Sequence, residues 1–333
     1  MKIHFNELQK ILSSILLKNG FEIENAELLS SILTENTLVG VASHGVNRFA
    51  ALVKLIEKGH IKPNAKPTIV NSFGAWEQWD ANYGPGPLNA WRATDRVIEL
   101  SKEHGVSCIT LKNSNHWMRP GAYGWKAAEA GHILICWTNA IPMMIPWEAR
   151  EPKVGNNPIT LAVPRAKGHV VLDMALSQYS YGKLSTMRRE EKELPFPGGY
   201  DKDGNLSTDA AAIYESNLAL PIGYWKGAGM AILFDLIATI MSGGRSTNDL
   251  SKTMVDTGMS QVFICFDPSK SYSATAINEI ADEIIESVTS AQPMTRQSSV
   301  SYPGERIAKT KESNLKNGID IHPEIWDRIK KLI

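Results

Sequence analysis

Between Thr68 and Asp267 the chain alternates short β-rich apolar runs with helical segments, and this alternation restricts the fold more than any single residue does. The runs are V-S-C-I-T-L (106–111), H-I-L-I-C-W-T (132–138), I-T-L-A-V-P (159–164), V-V-L-D-M (170–174) and Q-V-F-I-C-F (261–266). Helical spacing separates them, as in Leu88–His104 and Met230–Ser242. Such a pattern predicts a sheet covered by helices.

Both ends of the chain are helical instead. Up to about Lys58 apolar residues recur at helical spacing with Gly20 and Gly59 as stops, and I-K-P-N-A-K-P (61–67) leads into the mixed part. Ile277–Ser290 and Pro323–Ile333 are helical again and are expected to pack on the N-terminal helices. The expectation is a mixed α/β chain with two units: a helical domain from residues 1–70 and 285–333, and an α/β sheet domain over residues 71–284. At 333 residues there is room for both, because single cores stop growing at roughly 250–300 residues. Glu190–Asp209, rich in Gly, Pro, Asp and Lys, reads as an exposed loop able to act as a lid.

Charge and cysteine usage narrow the class of partner. Lys plus Arg and Asp plus Glu both number 35, so no net field draws in nucleic acid or an acidic membrane, and a small-molecule partner is expected. The longest apolar stretch, Gly229–Met241, is interrupted by Asp235 and is shorter than the roughly 20 residues a spanning helix needs. The N-terminus has no apolar signal region. A cytoplasmic protein without a membrane partner is therefore expected. Cys108, Cys136 and Cys265 lie in apolar runs without C-x-x-C spacing or a histidine cluster, which favours buried, reduced thiols and no metal.

The run Ser43-His44-Gly45-Val46-Asn47-Arg48 carries the clearest chemistry. Ser43 reads as the N-cap of a helix along which Val46, Phe49, Leu52, Val53 and Ile56 recur, with His44 as its first residue. His44 and Arg48, four residues apart, would then share one face. A ligand with a carboxylate beside a carbonyl needs both groups: Arg48 can hold the carboxylate bidentately while His44 moves a proton at the neighbouring oxygen. A capped surface helix with both side chains in water has the same pattern.

Other segments offer weaker signals. Asn115 and His116 sit in N-S-N-H-W-M-R-P (113–120), just after a strand, where α/β proteins place ligand groups. Asn156 and Asn157 mark a turn. Asp173 lies inside an apolar run and must be paired or hydrogen-bonded. Trp225 and Lys226 present an aromatic face and an ammonium before a helix, suiting a flat ring and a pyrophosphate or simple packing. Glu305 and Arg306 follow Gly304 in a turn that can hold ribose or phosphate. Neither Gly84-Pro85-Gly86-Pro87 nor Gly227-Ala228-Gly229 completes a Rossmann fingerprint, since Asn89 and Ile232 stand where the third small residue belongs. Both read as turns or close helix contacts.

Taken in order, S-H-G-x-x-R, N-S-N-H, N-P-I at Asn157–Ile159, L-D-M around Asp173 and P-G-E-R around Gly304 resemble the malate/L-lactate dehydrogenase family. That family comprises NAD(P)H-dependent oxidoreductases unrelated to the Rossmann-type lactate and malate dehydrogenases, and the resemblance spans essentially the whole chain. It implies a non-Rossmann NAD-binding sheet domain, a homodimer, and hydride transfer between NADH, or NADPH, and a 2-oxo or 2-hydroxy carbon beside a carboxylate. It implies His44 as the proton donor, Arg48 at the substrate carboxylate and His116 beside them. Cofactor contacts are implied for His169, Val170, Val171, Leu172, Asp173, Met174 and Ala175, for Trp225 and Lys226, and for Gly304, Glu305 and Arg306. Substrate contacts are expected from Ser43, Asn115, Trp117 and Arg119. Many relatives carry His, then Phe or Tyr, then Gly where this chain has His116-Trp117-Met118-Arg119. The bulkier loop with its extra cation favours a longer polyhydroxylated acid, a 2-oxo sugar acid, over pyruvate. Malate, lactate, ureidoglycolate and cyclic imino acids are the rival substrates within the family, and a non-enzymatic sugar-acid binding protein is the rival outside it.

Overall fold

The computed structural model describes residues 1–295 and 298–333, so the C-terminal part of the expected helical domain, 285–333, includes two residues, 296 and 297, that lie outside the described ones. In chain order the elements begin with β1 (Lys2–Ile3), α1 (Phe5–Lys18), α2 (Ile23–Leu38), a 3-10 turn (Ala42–His44) and α3 (Val46–Glu57). Then come β2 (Thr68–Phe73), β3 (Trp76–Asp80), α4 (Gly86–His104), β4 (Val106–Asn115), α5 (Gly121–Glu129), β5 (Ile133–Thr138), β6 (Ile159–Val163) and β7 (Val170–Met174). A small insertion follows: α6 (Tyr181–Arg189), β8 (Gly199–Tyr200), β9 (Leu206–Ser207), α7 (Ala210–Ser216) and β10 (Leu218–Ala219). The chain ends with α8 (Trp225–Ser242), α9 (Thr247–Ser251), β11 (Thr257–Phe266), α10 (Ala274–Thr289), α11 (Glu305–Asn317), β12 (Ile319–Asp320) and α12 (Pro323–Lys330).

The main sheet has seven strands in the order β2-β3-β4-β11-β5-β6-β7. Among its described residues only β3 and β4 pair in parallel. All five apolar runs form strands; in the central strands β4, β5 and β11 the lack of polar alternation follows from cover on both faces, whereas Leu161 of β6 and Leu172 of β7 are exposed. On β11, Phe263 and Cys265 join Val97 of α4 and Tyr123 of α5 in one core, while Val262 meets Ala231 and Ala238 of α8 in another. The three thiols are free, and burial raises Cys108 and Cys265 to about 11.

A third apolar cluster joins α1, α2, α3 and α12, with Leu8, Leu12, Ile15 and Leu16 forming the buried stripe of α1. The two chain ends meet here: β1 pairs with β12, and the Met1 ammonium donates to the Ile321 carbonyl at 2.7 Å. The expected division at residue 70 falls inside β2, and the one at 284 falls inside α10. Among the described residues helix α10 is tied to the sheet side of the chain rather than to the N-terminal helices by its ion pairs. Arg165 and Lys167, in the turn between β6 and β7, hold its Asp282 at 2.6 and 3.0 Å. The segment expected to be a loop, Glu190–Asp209, carries two short strands of a three-stranded sheet, and its Leu194 joins Leu184 and Met187 of α6 and Ala210 and Ile213 of α7 in a small core.

Helix α8 begins at Trp225, a full turn before its apolar run at Gly229. At 18 residues and a mean hydropathy of 1.2 it is long and apolar enough, by length and composition, to cross a membrane. Its packing is that of a helix lying on a sheet: small Ala228, Ala231 and Ala238 face the strands, while Leu233, Leu236 and Ile240 are exposed.

Helix α4 joins the two large cores. Its Ala90, Ala93 and Val97 pack on the sheet, its Leu88 belongs to the helical cluster, and Trp91 touches both. The start of α4 presses on the end of β4, where a Cβ on Gly86 would lie 2.2 Å from the Asn115 carbonyl oxygen and 2.4 Å from that of His116. Both neighbours are backbone, so no side-chain rotation relieves the clash. Gly86→Ala is expected to cost at least about 2 kcal/mol and to lower the melting temperature measurably by calorimetry. An unchanged melting temperature would mean that α4 and the His116 loop are not locked together.

Candidate active site

His44 and Arg48 do meet at one place, but not on one helix. His44 closes the 3-10 turn, Gly45 breaks the chain with φ −123° and ψ −123°, and α3 starts at Val46. The expected Ser43 cap is thereby corrected: Thr37 of α2 does the capping, its hydroxyl oxygen accepting from the Val46 N–H at 3.0 Å. Gly45 lies so close to α2 that a Cβ there would be 2.3 Å from Thr37 Oγ1. Freed from capping, the Ser43 hydroxyl pairs with His44 Nδ1 at 3.1 Å, and Asn36 Nδ2 donates to the His44 carbonyl at 3.0 Å. The catalytic candidate is thus fixed at both ring and backbone.

His116 stacks on His44 with ring centroids 5.8 Å apart and planes 18° from parallel. Its Nδ1 accepts from the Met118 N–H at 3.0 Å, which leaves the proton of the neutral ring on Nε2. Two cations flank the pair. Arg48 Nη2 donates to Asp256 Oδ2 at 2.7 Å. Arg119 is only 4% exposed, and its nearest acid, Asp173, stands 3.9 Å from Nε. Burial first, then Arg48 and Arg119, lowers His44 to about 4. Burial, Arg48 and His44 hold His116 well below its ordinary value. Without a ligand both rings are therefore neutral at neutral pH.

Asp173 has the partners its apolar run demanded. Its carboxylate accepts from the Gly121 N–H at 2.9 Å, and a quarter of the side chain still meets solvent. Burial pushes its carboxyl up, while Arg119 and the Gly121 amide pull it back down. The ion pair with Arg119 and the remaining solvent contact favour the ionised form.

A cleft of about 950 Å³ contains Ser43, His44, Arg48, His116 and Arg119, together with Val171, Leu172, Asp173, Met174 and Ala175 of β7 and its end, and Gly304 and Arg306. The last two segments, far apart in sequence, are brought together by a hydrogen bond from the Val171 N–H to the Pro303 carbonyl at 2.9 Å. Gly304 has φ +102°, and a Cβ there would lie 3.0 Å from the His169 carbonyl oxygen, so glycine is required at this crossing.

Several expected site residues lie elsewhere. Asn115 is buried, and its Nδ2 donates to the carbonyls of Tyr83 and Gly84 at 2.9 and 2.8 Å, so it holds the loop rather than a ligand. Trp117 borders the cleft, but its ring is 1% exposed and packs on Tyr123 and Phe263, leaving it unable to read substrate length. His169 and Val170 lie behind the cleft wall, with the His169 ring against Trp125. Glu305 turns away to pair with Lys309. Trp225 and Lys226 do not line the cleft; they start α8 just after Ile222, whose N–H donates to the Leu176 carbonyl at 2.8 Å, which places them past the end of β7. Conversely, sequence reasoning missed Asp256, Arg188, Arg189 and Arg328, all on the cleft wall. No motif marks them; only the fold brings them in. A second cavity of about 550 Å³ between α2, α5 and α11 shares Arg119 but contains no histidine, so the chemistry belongs to the first. Among the described residues no group of three His, Cys, Asp or Glu forms a metal site.

Comparison with known proteins places the whole chain in one family and one fold. Residues 3–330 match the family model described as malate/L-lactate dehydrogenase. A 2,3-diketo-L-gulonate reductase of Klebsiella pneumoniae (strain 342) is 39% identical over 333 residues, covering all of both chains. The malate dehydrogenase of Pyrococcus horikoshii OT3 superposes with a TM-score of 0.90 at 25% identity, covering 100% of this chain and 94% of that one. The malate dehydrogenase of Entamoeba histolytica, 22% identical, shares the fold with a TM-score of 0.94 over 100% of this chain and 97% of that one.

The crowding of cations around His44 can be read directly. In the ligand-free protein the His44 ring resonances should titrate with a midpoint near 4 by NMR, and Arg119→Gln should move that midpoint upward. A wild-type midpoint at the ordinary 6.5 would show that neither burial nor the arginines act on this ring.

Proposed function

The chain belongs to the malate/L-lactate dehydrogenase family of oxidoreductases, and we propose that it is an NADH-dependent reductase converting 2,3-diketo-L-gulonate to 3-dehydro-L-gulonate. The observation that carries this reading is the placement of His44 between Arg48 and Arg119 in one cleft, in a chain 39% identical along its whole length to a reductase of that substrate.

The residues present fit a dinucleotide. β7 is an edge strand, the Gly304 turn crosses it at a distance only glycine permits, and Arg306 lines the same wall with a cation for phosphate charge. A bound nicotinamide cofactor supplies hydride to the substrate C2; Val171–Ala175, Gly304 and Arg306 would hold it. His169, Val170 and Glu305 shape that wall from behind. NADH is proposed over NADPH from the family likeness.

The chain's own residues do the rest. Arg48 has Nη1 and Nε without a partner among the described residues, and these donors take the substrate carboxylate. His44 delivers a proton to the C2 oxygen as charge develops there, and His116, with its proton on Nε2, donates a hydrogen bond to the same oxygen. His44 is neutral before substrate arrives, so it must gain its proton on the way. An anionic substrate supplies the reason: its charge offsets Arg48 and Arg119, and His44 rises back from about 4 toward its ordinary value.

We further propose that two copies pair through α8. Leu233, Leu236, Ile237 and Ile240 are between 41% and 71% exposed on one helix, an apolar face that monomers rarely leave open.

Three outcomes are expected. NADH oxidation should depend on added 2,3-diketo-L-gulonate and proceed faster than with pyruvate or oxaloacetate, and His44→Ala should lower turnover at least about 100-fold with NADH binding kept. A fully active His44→Ala enzyme would sink the assignment. Binding of an unreactive 2-oxo acid to the NADH complex at pH 6 should take up a proton, seen as a buffer-dependent heat in calorimetry; no uptake would mean that His44 is protonated by another route. Ile240→Asp combined with Leu233→Asp should halve the mass measured by light scattering, and an unaltered dimer would place the contact elsewhere.

A further inference from the structure

Arg48 does not stand alone in the cleft, and its partner has chemistry of its own. Asp256, in the segment between α9 and β11, has Oδ2 on Arg48 Nη2 at 2.7 Å, and its side chain is 18% exposed. Among the described residues its Oδ1 has no hydrogen-bond partner, and the residue borders the same cleft as His44 and His116. A carboxylate facing an anion-binding site is out of place if its only task is to balance Arg48, since it weakens the attraction on which binding depends.

We propose that Asp256 is the specificity-determining residue of this pocket, accepting a hydrogen bond from a hydroxyl of a polyhydroxylated 2-oxo monocarboxylate and repelling the second carboxylate of a dicarboxylic acid. This rests on the functional reading above and deepens it. With a substrate carboxylate on the remaining donors of Arg48, one guanidinium serves two carboxylates, so its donors are filled and its single positive charge is already outweighed. A hydroxyl beyond the reacting carbon finds an acceptor in Oδ1, and a hydrogen bond to a charged acceptor is among the stronger kinds. A second carboxylate there meets the like charge of Asp256 beside an Arg48 whose charge is already taken. The same cleft wall thereby separates a sugar acid from malate or oxaloacetate, which share the 2-oxo or 2-hydroxy acid end and differ only beyond it.

The test is Asp256→Asn, which keeps shape and an amide oxygen while removing the charge. The full-length enzyme is assayed with NADH and either 2,3-diketo-L-gulonate or oxaloacetate, with NADH binding and melting temperature as checks on folding. Expected is a fall of about 10-fold in kcat/KM for the sugar acid and a rise of about 10-fold for oxaloacetate, the scale of one charge-assisted contact in each direction. Parallel losses on both substrates would overturn the proposal and leave Asp256 as a residue that merely orients Arg48. An unchanged ratio would overturn it as well. A wild-type enzyme inert toward 2,3-diketo-L-gulonate would count against the functional reading alone, because the oxaloacetate arm still reports whether Asp256 excludes a second carboxylate.

Discussion

The close crossing of α4 over the end of β4 is the contact on which the cleft depends. Gly86 lets two backbone carbonyls approach where any Cβ would collide, and Asn115 ties the same place down through the carbonyls of Tyr83 and Gly84. From that point α4 runs between the two large cores, with Trp91 in contact with both. His44 is carried by the helical cluster, whereas His116 and Arg119 follow β4 and Asp173 lies on β7. Their registration is thus a consequence of how tightly one helix start can sit on one strand end.

Once registered, these groups create an electrostatic problem that the ligand solves. Two guanidinium groups and a second imidazole surround His44 in a half-closed space, and burial removes the water that would stabilise a third positive charge. The result is a ring that is neutral at rest, and in the reaction we propose it gains its proton when an anion arrives. Such coupling ties proton delivery to the presence of the substrate, so a site without a carboxylate in it is a poor proton donor.

Much of this was legible in the chain, and the failures have a common form. Strands β4, β5 and β11 were readable because burial on both faces leaves continuous apolar runs, β6 and β7 because their runs stay apolar although Leu161 and Leu172 are exposed, and α1–α3 because their stripes recur at helical spacing. The hairpin of β2 and β3 was not, since W-E-Q-W-D alternates polar residues of which Glu77 is buried with Arg96 and the Trp79 indole N–H as its partners. Ser43 looked like a cap because capping is usually local. Here Thr37, from a neighbouring helix, caps Val46 across the intervening turn. Trp117 looked like a substrate contact because nothing in a loop sequence says which side a ring will face, and it entered the core. The segments around His44, Asp173 and Gly304 were legible as groups, yet Asp256 was silent. Its meaning comes from a partner 208 positions away.

Arg119 shows how far the site's charges are arranged for an incoming anion. Its guanidinium is 4% exposed, yet among the described residues it makes no hydrogen bond, and its carboxylate neighbour stands 3.9 Å away. A cation so deeply set, with a carboxylate only at ion-pair range, has donors left for an incoming anion. The two anionic groups expected in the cleft, a substrate carboxylate and a cofactor pyrophosphate, are the species that can supply the missing acceptors. Since Arg119 also bears on His44, whichever anion reaches it changes the proton affinity of the catalytic ring. Binding, charge balance and proton delivery are therefore one coupled event at this site, held together by the same short loop that Gly86 and Asn115 fix in place.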